Sequence, residues 1–147
     1  VTKSIFEKLG FNVDEDLKKE INTSKNKIDV ILNLGNQDII IIECKSVKES
    51  GYNKYGSVSK QIKSYEDLAK KSGFNVVKNL IIAPEFSDEF IKECDLQFEI
   101  NLSLITANSL INILEGFRTS KLKQFPYQLL MKDVFSKEDR ILKAINK

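Results

Sequence analysis

The residues best suited to chemistry in this chain are Asp29, Glu43 and Lys45, in and beside a hydrophobic segment at 28–47. This segment is rich in β-branched side chains on both sides of a Gly-Asn-Gln turn signal at 35–37, which predicts a β-hairpin. If those three residues form the loop, paired residue numbers sum to about 72, and Asp29 lies opposite Glu43. A two-residue loop would shift this register by one, unless a bulge restored it.

Strand alternation decides which of these side chains meet. Residues two apart in a strand share a face, so Glu43 and Lys45 point the same way and Cys44 points to the other face. Two carboxylates and an ammonium then converge at the end of a buried strand. Because nearby carboxylates repel each other, a bound divalent cation is the simplest reason to keep them, and oxygen ligands suit Mg²⁺ or Mn²⁺. The alternative is an amphipathic hairpin with a surface Glu-Lys pair.

Composition excludes several classes of chemistry. The chain has 147 residues, a net charge of +2 and no histidine, which excludes Ser-His-Asp and Cys-His catalysis, histidine-dependent nucleases and His-ligated zinc. Cys44 and Cys94 are too few for a zinc cluster, and we expect Cys44 to be a small core residue rather than a reactive thiol. Two cysteines without a signal peptide predict a cytoplasmic location. No stretch is long enough to cross a membrane.

The remaining elements predict a single α/β domain over 1–147, with a mixed sheet flanked by helices. Because the chain begins at Val1 without an initiator methionine, we expect it to be excised from a larger protein. The segment at 14–20 is ambiguous, 49–56 is a predicted loop, and 128–135 is a possible short helix. Gly116 is expected to end a helix whose inward residues are Leu110, Ile111 and Leu114. The predicted helices are 4–9, 57–71, 87–93, 107–115 and 137–145, and the predicted strands are 28–34, 38–47, 76–83 and 98–105.

The predicted helix after the hairpin carries polar residues of interest. Gln61 and Tyr65 are four apart and share a helix face, either beside the predicted site or as a buried tyrosine with a polar neighbour. Lysines cluster between residues 45 and 63, with Glu49 as the only acidic residue there. Such a cluster suits a nucleic-acid backbone, or forms a solvated loop and helix face.

Asp29 followed by Glu43-Cys44-Lys45 on a hydrophobic strand resembles the active-site motif of the PD-(D/E)xK nuclease superfamily, with Ile28 in place of the proline. The resemblance implies a restriction endonuclease-like core and Mg²⁺-dependent hydrolysis of DNA, with Mn²⁺ as a substitute. It implies Asp29, Glu43 and the main-chain carbonyl of Cys44 as metal ligands. The implied catalytic residues are Asp29, Glu43, Lys45 and Gln61.

A helical glutamate near the N-terminus supplies another metal oxygen in several members of the superfamily. Glu7 is therefore a secondary candidate, with Glu20 as an equal substitute. The alternative for Glu7 is an ordinary solvent-facing position on a helix.

Residues 27–116 are similar to the cleavage domains of type IIS restriction endonucleases, through Gly51-Tyr52-Asn53, Gln61 and the segment at 102–114. That resemblance implies cleavage without sequence preference, by a homodimer, with recognition elsewhere in the parent protein. Alternatives are a Holliday-junction resolvase or Mrr-like repair nuclease, favoured by the pattern at 7–11, and an inactive nuclease-fold DNA-binding module. A further alternative is an unrelated α/β domain in which the motif occurs by chance. The expected DNA-binding residues are Lys48, Asn53, Lys54, Lys60 and Lys63.

Overall fold

A computed structural model describes residues 1–25, 27–46, 55–96 and 101–146. It contains a five-stranded mixed sheet in the order β1-β2-β3-β4-β5, antiparallel from β1 to β3 and parallel from β3 to β5. The strands are β1 (Asn12–Val13), β2 (Val30–Gly35), β3 (Asp38–Cys44), β4 (Asn75–Ala83) and β5 (Leu102–Thr106). The helices are α1 (Thr2–Lys8), α2 (Glu15–Ile21), α3 (Tyr55–Lys71), α4 (Asp88–Leu96), α5 (Ala107–Arg118) and α6 (Glu138–Ile145). The predicted α/β class, a mixed sheet flanked by helices, is confirmed.

The hairpin has the register that the sequence predicts. Val30 pairs with Ile42, which brings Asp29 level with Glu43. The turn itself has two residues, Asn36 at φ 54° and Gln37 at φ 67°, and positive φ at both positions is typical of a tight hairpin turn. An irregularity between residues 33 and 35 compensates for the shorter loop. β2 begins at Val30 rather than at Ile28, so Asp29 lies just before the strand.

The isoleucines of β3 are buried on both faces of the sheet. Ile40 and Ile42 pack into the core beside α1, α5 and α6. Ile39 and Ile41 pack on the opposite face, beside α2 and α3. Burial on both faces explains the continuous apolar run in the sequence. The same alternation sets the face of the sheet toward which the side chains of Glu43 and Cys44 point.

Three sequence predictions about the helices are wrong. α3 begins at Tyr55, so Tyr55 and Gly56 lie in the helix and not in the predicted loop at 49–56. Gly116 lies inside α5, where a Cβ atom would collide with the Leu142 side chain of α6. This glycine therefore serves close helix packing rather than helix termination. Ile111 is 45% exposed, and Ile113 takes the inward position instead.

Further boundaries also differ from prediction. The ambiguous segment at 14–20 falls largely within α2, which Asp14 caps by accepting the Leu17 N–H at 3.0 Å. The possible helix at 128–135 is only a 3₁₀ turn, Tyr127–Leu130. β5 begins at Leu102, and the start of its predicted strand, 98–100, lies outside the described residues, as do 47–54. No helix in the described ranges is long and apolar enough to span a membrane.

Candidate active site

Asp29 is held at the point where the β2–β3 ladder ends. The last paired residues are Val30 and Ile42. Beyond them, the Asp29 Oδ2 atom accepts a hydrogen bond from the Cys44 main-chain N–H at 2.8 Å. The Asp29 carboxylate thus accepts a hydrogen bond at the end of β3 through one of its two oxygens.

β3 ends at Cys44, so Lys45 lies just beyond the strand rather than inside it as predicted. Glu43, Cys44 and Lys45 still alternate between the two faces of the sheet. The Cys44 thiol lies near α1, with its Sγ 3.4 Å from the Thr2 Oγ1. The side chains of Glu43 and Lys45 lie on the α3 side, where their Oε1 and Nζ atoms are 3.6 Å apart. This confirms the predicted alternation. It brings one carboxylate and one ammonium to the same face of the sheet.

Helix α3 completes a closed ring of four polar side chains. The Lys45 Nζ donates to the Gln61 Oε1 at 2.9 Å, and the Gln61 Nε2 donates to the Tyr65 hydroxyl at 2.8 Å. The Tyr65 hydroxyl lies 3.1 Å from the Glu43 Oε2, and Glu43 in turn pairs with Lys45. The i, i+4 spacing of Gln61 and Tyr65 therefore places both at the end of β3. The ring fixes the positions of Glu43 and Lys45.

Tyr65 belongs to both the site and the core. Its side chain is 1% exposed and packs beside Ile39 and Ile41. Its hydroxyl has one proton and two acceptors within reach, the Glu43 Oε2 and the Lys27 carbonyl at 2.9 Å. Its spacing from Gln61 signals a shared helix face. The contact with the Lys27 carbonyl has no signal in the sequence because the acceptor is a main-chain atom.

Burial and charge shift the ionisation of the site. Burial, followed by the negative charge of Asp29, raises the pKa of Glu43 to about 7. Burial, followed by the charge of Glu43, raises the pKa of the Tyr65 phenol. Burial also raises the pKa of the Cys44 thiol, which keeps that thiol protonated and unreactive at neutral pH. The negative charge of Asp29 therefore disfavours the ionised form of Glu43.

The donor set fits a hard divalent cation such as Mg²⁺. Its positive charge would offset the repulsion between Asp29 and Glu43, and both supply the oxygen ligands that Mg²⁺ prefers. Within the described ranges, no group of three or more carboxylate or cysteine side chains could hold a metal ion. A cation at this site would therefore have two carboxylates, main-chain oxygen such as the Cys44 carbonyl, and water as ligands.

The other predicted site residues lie outside the ring. Lys60 and Lys63 are on the exposed side of α3. Glu7 is exposed near the end of α1 that is farther from Thr2, and Glu20 is exposed on α2. Lys48, Asn53 and Lys54 lie outside the described residues.

The fold and the ring define an α/β domain with a polar site at the carboxyl end of a buried strand. Sites in open α/β sheets commonly lie at this edge. No family model, curated protein or solved structure matches the chain. The case for a function therefore depends on the geometry and chemistry of the site.

Proposed function

We propose that this chain is a metal-dependent DNA endonuclease domain that hydrolyses phosphodiester bonds. The observation that carries the proposal is the closed ring of Glu43, Lys45, Gln61 and Tyr65, with the Asp29 carboxylate beside it. An acidic pair and a fixed ammonium meet the needs of a reaction that gathers negative charge on phosphate oxygens.

Asp29, Glu43 and the main-chain carbonyl of Cys44 would hold Mg²⁺, or Mn²⁺ in its place. When bound, the ion polarises the scissile phosphate and stabilises the leaving oxygen. The protein contributes a carboxylate anchored on the Cys44 N–H and a second one held by the Tyr65 hydroxyl and by Lys45. Those contacts orient both carboxylates before the substrate arrives.

Lys45 is the catalytic cation of the proposal. Its Nζ is fixed by the Gln61 Oε1 and lies beside the Glu43 Oε1. From there it orients the attacking water and offsets the charge that develops on the phosphate. Gln61 is a positioning residue, because it holds Lys45 on one side and Tyr65 on the other.

DNA is the proposed substrate, and cleavage as part of a restriction enzyme in the cytoplasm is the proposed role. Exposed lysines on α3 would contact the DNA backbone without reading bases. A homodimer would cut both strands. The proposed DNA-binding set comprises Lys48, Asn53, Lys54, Lys60 and Lys63.

The direct test is incubation with supercoiled plasmid, in Mg²⁺ and in EDTA. We expect Mg²⁺-dependent nicking or linearisation by the wild type, and a loss of about 100-fold or more in Lys45→Ala. Lys71→Ala, which removes an exposed lysine at the end of α3, is the matched control. Cleavage at the wild-type rate by Lys45→Ala would refute the assignment.

Metal binding separates an active nuclease from an inactive DNA-binding module with the same fold. We expect Mg²⁺ to raise the melting temperature of the wild type, because a ligand of the native state stabilises it. Asp29→Asn should lose most of that increase, since it removes one of the two carboxylates. No cleavage together with no Mg²⁺-dependent stabilisation would favour the inactive module.

A further inference from the structure

The segment that carries Asp29 precedes the sheet and is held by side chains of two helices. Residues 27–29 come before β2, and the ladder between β2 and β3 ends at Val30 and Ile42. Asp29 itself is exposed. Because the ladder stops at Val30, other contacts must satisfy the main chain of this segment and set where the Asp29 carboxylate lies.

Asn22 holds the main chain of Ile28, the residue next to Asp29. The Ile28 N–H donates to the Asn22 Oδ1 at 2.8 Å, and the Asn22 Nδ2 donates to the Ile28 carbonyl at 3.2 Å. One side-chain amide thus takes both main-chain groups of a single residue. This is the double contact that a residue of a neighbouring antiparallel strand would make.

Packing fixes both partners of this double contact. Asn22 is the C-cap residue of α2, and its main-chain N–H donates to the Lys18 carbonyl. The preceding residue, Ile21, is 2% exposed, as is Ile28, and both belong to the core cluster that contains Tyr65. The Asn22 amide therefore reaches the segment from a helix end that is anchored in the core.

Two other side chains also contact the segment, and each of them has a second partner. The Tyr65 hydroxyl lies 2.9 Å from the Lys27 carbonyl but also belongs to the ring. The Lys18 Nζ lies 3.4 Å from the Asp29 carbonyl but pairs with Glu15 at 2.9 Å. The C-cap amide of α2, in contrast, directs both of its polar atoms to the segment.

We propose that Asn22 is a positioning residue that sets the place of the Asp29 carboxylate. By holding Ile28, it keeps the Asp29 Oδ2 at 2.8 Å from the Cys44 N–H. The consequence for Mg²⁺ binding rests on the proposed function, whereas the contact itself does not. Residues that orient metal ligands typically change metal affinity by about 10- to 100-fold when they are lost.

The first experiment measures amide hydrogen exchange in EDTA, so that it depends on neither metal nor nuclease activity. Exchange of the Cys44 N–H reports the place of the Asp29 carboxylate. The next amide, Lys45 N–H, donates to the Ile82 carbonyl at 2.8 Å and reports the stability of the sheet. We expect Asn22→Ala to lower the protection of the Cys44 N–H relative to that of the Lys45 N–H. Asp29→Ala, which removes the acceptor, defines the full loss.

Asn101→Ala is the matched control. Asn101 also holds a strand by its side-chain amide, with its Nδ2 2.6 Å from the Val77 carbonyl, toward the end of β4 that lies away from the site. We expect Asn101→Ala to change the exchange of the Cys44 and Lys45 N–H groups by the same factor. Its loss of stability therefore separates general destabilisation from a displaced carboxylate.

Two results of the exchange experiment would overturn the proposal. One is unchanged protection of the Cys44 N–H in Asn22→Ala, and the other is an equal loss of protection at Cys44 and Lys45. Should Asn22→Ala not fold, Asn22→Ser takes its place with the same expectation, because a serine hydroxyl can replace only part of the double contact.

The second experiment measures Mg²⁺ binding by titration calorimetry for the wild type, Asn22→Ala and Asn101→Ala. We expect the dissociation constant of Mg²⁺ to rise by about 10-fold or more in Asn22→Ala and to stay unchanged in Asn101→Ala. An unchanged constant in Asn22→Ala would overturn a role of Asn22 in metal binding. A wild type that binds no Mg²⁺ would count against the proposed function, and the exchange measurements would still decide whether Asn22 positions Asp29.

Discussion

Two half-buried glutamates lie near α3, and only one of them belongs to the proposed active site. Burial is the largest cause that raises the pKa of Glu43 on β3, and also the largest cause that raises the pKa of Glu66 on α3. By ionisation alone, both would qualify as candidate functional residues.

Their neighbours differ in chemical character. Glu43 contacts an ammonium and a phenol, and the charge of a second carboxylate, Asp29, acts on it. Glu66 accepts a hydrogen bond at 2.7 Å from the amide of Asn79, a residue only 2% exposed. The same amide also donates to the Asn101 carbonyl at 3.2 Å. A raised pKa thus indicates burial at both glutamates. Only Glu43 lies among charged and ionisable groups that could take part in a reaction.

The largest difference between the two glutamates should appear in nuclease activity. We expect Glu43→Gln to lower plasmid cleavage in Mg²⁺ by about 100-fold or more, because it replaces a metal-binding carboxylate with a neutral amide. Glu66→Gln makes the same chemical change at the second buried glutamate and should cleave at the wild-type rate. Cleavage rates of the three proteins at one enzyme concentration test this contrast.

Two outcomes would break the contrast. Equal losses in both variants would show that a buried carboxylate is needed only for the native packing. Wild-type activity in Glu43→Gln would remove Glu43 from the catalytic machinery.

A smaller effect is expected at Tyr65, and it concerns the free energy of unfolding. Tyr65→Phe removes a hydroxyl that serves Gln61, Glu43 and the Lys27 carbonyl. Leaving such buried groups without their partner costs about 1–3 kcal/mol of unfolding free energy. Tyr127→Phe, at a partly buried tyrosine outside the ring, is the matched control and should cost less. Urea unfolding of both variants measures the difference, and equal losses would mean that the ring adds nothing to stability.

Much of the site could be predicted from the sequence because strand geometry is local. Alternation along β3 and the hairpin register place Glu43 and Lys45 on one face and bring Asp29 level with Glu43. The two-residue turn and its compensating bulge are harder to predict from the sequence. Gly35-Asn36-Gln37 is compatible with loops of different length, and burial of the apolar strands selects the register.

The errors at Gly116 and Ile111 concern contacts between elements that are distant in sequence. Gly116 resembles a helix end, but the approach of Leu142 explains why a glycine stands inside α5. The helical pattern favours Ile111 as an inward residue equally well as Ile113, and packing against the sheet and α6 selects Ile113. Tyr65 has the spacing of a residue that shares a face with Gln61. Its link to Glu43 depends on how α3 packs on β3.

The smallest expected effect concerns the pH dependence of stability at Glu66. Its folded-state pKa is raised above the ordinary value of 4.5 by burial, so the protonated carboxyl favours folding. That contribution is complete below the unfolded-state pKa and is lost as the pH rises through the folded-state pKa. Glutamine does not titrate, and its side-chain oxygen can still accept the Asn79 hydrogen bond.

We therefore expect the free energy of unfolding of Glu66→Gln, relative to the wild type, to increase as the pH rises from 4.5 to 8. Urea unfolding at several pH values measures this difference, and titrations common to both proteins cancel. Asp67→Asn, at the exposed neighbouring position, controls for the loss of one negative charge. A difference for Glu66→Gln that stays constant with pH, or follows that of Asp67→Asn, would show that burial at Glu66 has no effect on folding. Glu66 could then no longer serve as the buried, structural glutamate with which Glu43 is compared.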